Sequence, residues 1–187
     1  MKIYSINTAP NSANMYILKS EISSDCIIID PGSLKLHVYN FLNNLNVNIC
    51  KIIVTHDHES HTGGIKMLKK IYNPEIYAFK EVIKGFQAHR LHEDSVIQFE
   101  DINLKIFEAP GHTYDSICIL SKGIIFTGDI LQAGTVGQVF TSKISSRITK
   151  LIKNRIFNLP DNTIIYPGHG PATTINLEKQ FNPYLLD

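Results

Sequence analysis

The run Thr55-His56-Asp57-His58-Glu59-Ser60-His61 follows directly on the apolar stretch Ile52-Ile53-Val54, which sets three imidazoles at the end of one predicted strand. In an extended segment residues i and i+2 point to the same side. His56 and His58 can therefore grip one ion while His61, past a bend, faces a neighbouring position. Other candidate ligands stand in the same context. Ala109-Pro110-Gly111-His112-Thr113 follows the alternating stretch Ile102 to Glu108, Thr127-Gly128-Asp129 closes Ile124 to Thr127, and Tyr166-Pro167-Gly168-His169-Gly170 closes Thr163 to Tyr166. Glycine beside each candidate lets the backbone turn sharply and approach a ligand closely. A chain patterned in this way is expected to bring distant strand ends together around a cation.

The 187 residues suit one domain, residues 1–187, with a substantial core. Hydrophobic content of 43% and charged content of 19% are globular values, and a formal charge of +1 gives no reason to expect nucleic acid or an acidic membrane as a partner. The segment Met1 to Asn7 lacks the apolar core of a signal peptide, and no stretch is long enough to cross a bilayer, so the expectation is a cytoplasmic protein. Cys26, Cys50 and Cys118 are odd in number and scattered among isoleucines, which reads as small core residues instead of a disulfide or redox pair.

Short β-rich runs come first: Lys2 to Ile6, Met15 to Lys19 and Cys26 to Asp30, the last closed by Asp30-Pro31-Gly32. Ser33 is a candidate cap for a helix along Leu34 to Leu45, where Leu34, Val38, Phe41, Leu42 and Leu45 keep helical spacing. A strand at Lys51 to Val54 leads into the histidine run. The spacing then predicts a helix from about Gly64 to Tyr72, a strand at Ile76 to Phe79, a short helix over Glu81 to Gln87 and a half-buried strand at Ile102 to Glu108. Ser116 to Leu120, Ile124 to Thr127 and Thr163 to Tyr166 read as strands, with a helix near Ile144 to Phe157 between the last two. Strands mixed with helices in both halves predict an α/β protein with two packed sheets covered by helices.

The elements His56-x-His58-x-Ser60-His61, Gly111-His112, Gly128-Asp129 and Gly168-His169-Gly170, in that order, resemble the metallo-beta-lactamase superfamily. The early Asp30-Pro31-Gly32 turn, the strand start Asn14-Met15-Tyr16 and the tail from Gly168 to Asn182-Pro183-Tyr184 are most similar to its short, glyoxalase II-like (hydroxyacylglutathione hydrolase-like) members. The resemblance implies an αββα four-layer sandwich of two mixed β-sheets flanked by helices. It also implies that His56, His58 and His112 hold a first metal, that Asp129 bridges to a second, and that His61 and His169 complete the second position. Zn²⁺ suits such a set best, with Fe²⁺ or Mn²⁺ as alternatives and one or two ions per chain. The implied activity is hydrolysis of a thioester or ester-like carbonyl in a small-molecule substrate by metal-bound hydroxide.

Departures from the pattern carry equal weight. The superfamily pattern has an aspartate where this chain has Ser60, so the second position is expected to bind weakly, stay empty or select another ion. Gln138 stands where many short members have arginine, followed by Val139-Phe140-Thr141 instead of an acidic turn; Lys143 and Arg147 are candidate replacements or a solvated helix face. Loss of a second-site ligand leaves two alternatives open. One is an iron dioxygenase resembling persulfide dioxygenases, with His56, His112 and Asp129 as ligands; the other is a degenerate metal-binding or sensing protein. His37, His89 and His92 are expected to be structural or exposed, Asp30 to brace the site from its turn, and Tyr114 with Asp115 to form a turn. The oligomeric state is left open.

Overall fold

In the first half of the chain the apolar runs become β1 (Lys2–Asn7), β2 (Asn14–Lys19) and β3 (Asp25–Ile29), which pair antiparallel in that order. They are followed by α1 (Leu36–Leu45), β4 (Asn48–Ile53), α2 (Glu59–Thr62), α3 (Ile65–Tyr72), β5 (Glu75–Ala78), β6 (Val82–Ile83), β7 (Phe86–Gln87) and β8 (His89–Arg90). The computed structural model describes residues 1–8, 13–100, 102–137 and 142–186, the side chains of 142–145 excepted. Gln138, Val139-Phe140-Thr141 and the Lys143 side chain therefore lie outside the described residues. The described chain forms two compact units, Met1–Leu91 and His92–Asp187.

The first unit is built on a six-stranded sheet of order β1-β2-β3-β4-β5-β8, parallel from β3 onward. Parallel neighbours need a crossover, and α1 supplies it between β3 and β4 while α3 does so between β4 and β5. One sheet face (Met15, Ile17, Cys26, Ile28, Ile52, Ile76) shares a core with Val38 and Leu42 of α1 and Ile65 and Leu68 of α3. The alternate residues Leu18, Ile27, Ile29 and Ile53 are buried as well. Burial on both faces explains why these strands are continuous apolar runs without alternation. Asn46 and Asn73 end α1 and α3 in the left-handed conformation.

The second unit contains β9 (Val96–Phe99), β10 (Ile102–Glu108), β11 (Ile117–Ser121), β12 (Ile124–Gly128), β13 (Leu131–Gln132), β14 (Thr135–Val136), α4 (Ser142–Leu151), a π-helical turn (Ile152–Ile156), β15 (Ile164–Pro167), β16 (Thr173–Thr174) and α5 (Ile175–Phe181). Its sheet has the order β16-β15-β12-β11-β10-β9, with β12 and β15 parallel. Phe107, Cys118, Ile125 and Ile165 pack with Ile148, Ile152, Ile156 and Ile175. The chain is thus mixed α/β with two mixed sheets and helices, as the resemblance implied.

Several local expectations are corrected. Glu81 to Gln87 is the hairpin β6–β7, not a helix, because Lys84 and Gly85 both take positive φ (51° and 85°), the requirement of a two-residue turn that matches strand twist. Ser33 does not cap α1; its hydroxyl donates to the Thr8 carbonyl at 2.7 Å, and the helix begins at Leu36 without a side-chain cap. Cys26 and Cys118 are buried, whereas Cys50 is half-buried with its thiol donating to the Cys26 carbonyl. The hairpin β13–β14 and the short strands β8 and β9 were not expected.

Candidate metal centre

Ligand candidates leave the carboxyl ends of parallel strands in both units, the place where backbone groups of an open α/β sheet are free to meet a ligand. In the first unit Asp30 follows β3 and the histidine run follows β4. In the second, Asp129 follows β12 and His169 lies just past β15, with the Gly168 amide donating to the Gly128 carbonyl at 2.7 Å to tie the two ends together.

In the first unit Asp30 organises the histidines. It is buried and takes a positive φ of 54°, a conformation aspartate tolerates better than most residues. Its Oδ1 accepts the Thr55 amide at 2.8 Å, and its Oδ2 accepts both the Thr55 hydroxyl at 2.7 Å and His61 Nδ1 at 2.9 Å. Because the Thr55 proton is committed to Asp30, its hydroxyl oxygen accepts from His56 Nδ1 at 3.1 Å. Both imidazoles thereby carry their proton on Nδ1 and present a lone pair on Nε2, the form a metal needs. His58 adds its Nδ1 3.0 Å from His56 Nε2. Gly32 closes the turn under this arrangement: a Cβ there would overlap the Ser60 carbonyl oxygen and lie 2.6 Å from Thr8 Oγ1. Ser60 sits in α2 immediately before His61.

The second unit has a cluster of its own. Asp129 is buried, and its Oδ2 lies 3.6 Å from His112 Nε2 and 3.4 Å from His169 Nε2. Both distances exceed an ordinary N–H···O bond. They approach the donor–donor edge of about 3.4 Å that a tetrahedron with bonds near 2.1 Å requires. One carboxylate oxygen set between two imidazole nitrogens thus has the chemistry and spacing of a metal ligand shared by both. Gly137 lets the chain pass close by, since a Cβ there would overlap the Asp129 carbonyl oxygen and meet His112 Cβ at 3.2 Å.

Other singled-out residues play supporting parts. Asp57 pairs with Lys80 at 2.8 Å, and Glu59 pairs with Lys84 at 2.8 Å. Thr113 and Ser116 close a turn through their hydroxyls at 2.7 Å, with Tyr114 exposed and Asp115 buried. His37, His89 and His92 are exposed; His89 stacks on Tyr77 at 4.7 Å and His92 Nδ1 bonds the Glu93 carbonyl. Arg147 is exposed on α4. Burial pushes the Cys26 thiol up to about 12 and raises that of Cys118 as well, so neither offers a thiolate near neutral pH. Among the described residues no helix is long and apolar enough to cross a membrane. Sequence reasoning missed Thr55, Gly32 and Gly137 as supports, although all three lie within or beside the motifs that carry the ligands.

The metallo-beta-lactamase superfamily model matches residues 8–169. The chain belongs to the metallo-beta-lactamase superfamily. This superfamily member is similar to a protein of Haemophilus influenzae named hydroxyacylglutathione hydrolase GloC, 30% identical over 182 residues that cover 84% of this chain and 86% of the relative. Longer proteins named hydroxyacylglutathione hydrolase also match; the chain spans 61% of the length of that from Chromohalobacter salexigens and 70% of that from Shewanella halifaxensis. Among solved structures, the fold is shared with the BLEG-1 B3 metallo-beta-lactamase, with a TM-score of 0.89 at 23% identity and full coverage of both chains. It is shared too with ETHE1 from Myxococcus xanthus, with a TM-score of 0.87 at 23% identity, covering 98% of this chain and 84% of that one.

Proposed function

We propose that this superfamily member is a metal-dependent hydrolase of the glyoxalase II-like kind that cleaves a thioester or similar ester-like carbonyl in a small molecule, and that residues 1–187 act as one domain. His56, His58, His112 and Asp129 would hold a first ion, and His61 and His169 would join Asp129 at a second position that Ser60 leaves one charge short. The observation that carries this reading is the Asp129 carboxylate oxygen set 3.6 Å and 3.4 Å from the His112 and His169 ring nitrogens. The Asp30 network supports it by fixing the tautomers of His56 and His61. A divalent ion, when bound by these residues, would supply Lewis-acid polarisation of a carbonyl and a hydroxide source near neutral pH. Zn²⁺ fits three neutral imidazoles and a carboxylate, with Fe²⁺ or Mn²⁺ next. The thioester class is favoured by the relatives named hydroxyacylglutathione hydrolase.

Ser60 favours one second reading, a single-iron oxidoreductase resembling persulfide dioxygenases, held by His56, His112 and Asp129. Elemental analysis of the purified protein, followed by two assays, separates them: hydrolysis of lactoylglutathione with zinc loaded, and oxygen consumption with glutathione persulfide with iron loaded. Hydrolysis above a His112→Ala control supports the proposal. Oxygen uptake alone transfers the assignment to the second reading, and neither activity leaves a non-enzymatic metal-binding protein.

A further inference from the structure

The mechanism above makes no use of Glu178, a carboxylate on α5 that is only 3% exposed. Its Oε1 accepts the Thr173 hydroxyl at 2.7 Å, and its Oε2 accepts Asn182 Nδ2 at 2.7 Å. Both oxygens face the amide of Gly134, at 3.3 Å and 3.1 Å. Gly134 has φ of 71° and forms the turn of the β13–β14 hairpin, so the carboxylate grips that hairpin at its tip. Asn182, fully buried, donates its other side-chain bond to the Thr135 carbonyl at 3.2 Å, while its Oδ1 accepts the Tyr184 amide. Two residues of the C-terminal segment thus hold both the tip and the returning strand of one short hairpin.

That hairpin departs from Asp129 and returns against it. Leu131 begins β13 two residues after Asp129. Past β14, the Gly137 amide donates to the Ile130 carbonyl at 3.2 Å, and a Cβ added to Gly137 would overlap the Asp129 carbonyl oxygen and lie 3.2 Å from His112 Cβ. A two-strand hairpin of two residues per strand has little stability of its own and needs an external anchor. A buried carboxylate is costly unless each oxygen is satisfied, and here both are. We propose that Glu178 and Asn182 are positioning residues: they anchor the Leu131–Val136 hairpin so that Gly137 seats against Asp129 and His112 and fixes that pair in its observed spacing.

The first test needs no variant and no metal. In native-state hydrogen exchange on the full chain, the Gly134 amide is expected to exchange together with the Asn182 amide, which caps α5 by donating to the Glu178 carbonyl; exchange at the rate of an open turn overturns the anchor. Glu178→Gln then puts an amide donor among three donors, and it is expected to release protection at Gly134 and Gly137 while β10 and β11 keep theirs. The Co²⁺ affinity should fall by about 10-fold or more, as when a group supporting a ligand is lost. Ile156→Val, in the same core, serves as a control that lowers stability without either local effect. Unchanged Gly137 protection in Glu178→Gln, or effects no different from the control, overturns the proposal; if Glu178→Gln does not fold, Asn182→Ser takes its place. The cobalt measurement rests on the reading of Asp129 as a ligand. A wild type that holds no cobalt refutes that reading, while the exchange data still decide the anchor.

Discussion

Asp30→Asn is the substitution that most directly tests how the histidine run is prepared for a metal. Asparagine tolerates a left-handed backbone about as well as aspartate, so the φ of 54° introduces little strain. The side-chain oxygen can keep the Thr55 amide at the present 2.8 Å. The new NH₂ group then stands where Oδ2 now accepts two donors, Thr55 Oγ1 and His61 Nδ1. To avoid donor facing donor, His61 must move its proton to Nε2 and the Thr55 hydroxyl must turn away, which frees His56 from its fixed tautomer. Loss of a group that supports a ligand costs about 10- to 100-fold in metal affinity, or about 1.4 to 2.8 kcal/mol. The mismatched buried donors should also lower folding stability by about 1–3 kcal/mol. Competition with a chromophoric chelator for Zn²⁺ or Co²⁺ reads the first quantity, and urea unfolding of the metal-free protein reads the second. Wild-type metal affinity in Asp30→Asn refutes the argument that Asp30 sets the tautomers, whatever happens to stability.

Three further outcomes are expected. Ser60→Asp should restore a negative ligand at the second position and raise tightly held metal toward two ions per chain by elemental analysis; two tight ions already present in the wild type and kept by Ser60→Ala would contradict this. Gly32→Ala should unfold the turn beneath the histidine run or cost about 4 kcal/mol or more, because its Cβ would meet the Ser60 backbone, and a thermal scan within a degree or two of wild type is incompatible with that packing. The Arg155 guanidinium, bonding Glu93 at 2.6 Å and 3.2 Å, holds that carboxyl below its ordinary value of 4.5. A carboxyl depressed in the folded state stabilises above its unfolded value and loses that contribution as pH falls through the lower folded value. With both partners about 40% exposed, the effect is at most about 1 kcal/mol. Denaturant midpoints of wild type and Glu93→Gln should therefore differ near neutral pH and converge in acid, and a gap that widens in acid reverses the sign of the argument.

Strands buried on both faces were legible because nothing else accounts for runs such as Ile27-Ile28-Ile29 and Ile52-Ile53-Val54. Helices α1 and α3 were legible from apolar spacing, and the chain's family from the order of its histidines and Asp129. The hairpins β6–β7 and β13–β14 were not. Each has two-residue strands, too short for any periodicity, and their turns at Lys84-Gly85 and Ala133-Gly134 lack the Asn-Gly or Asp-Gly signal. Likewise, nothing local to Glu178 announces that its carboxylate ends against Gly134, 44 residues earlier in the chain.

The structure also bears on what makes good the charge missing at Ser60. The two acidic residues within the histidine run are the nearest substitutes in sequence. Glu59 opens α2 with a side chain that is 79% exposed and is drawn to Lys84 at 2.8 Å. Asp57 is half-buried but faces Lys80 at 2.8 Å and Lys84 at 3.7 Å, so its charge is already balanced by two cations. Moving either to a metal would break an ion pair and leave a lysine behind. The deficit is therefore expected to persist, which makes position 60 the place in the run where restoring one carboxylate changes metal content without dismantling a contact already made.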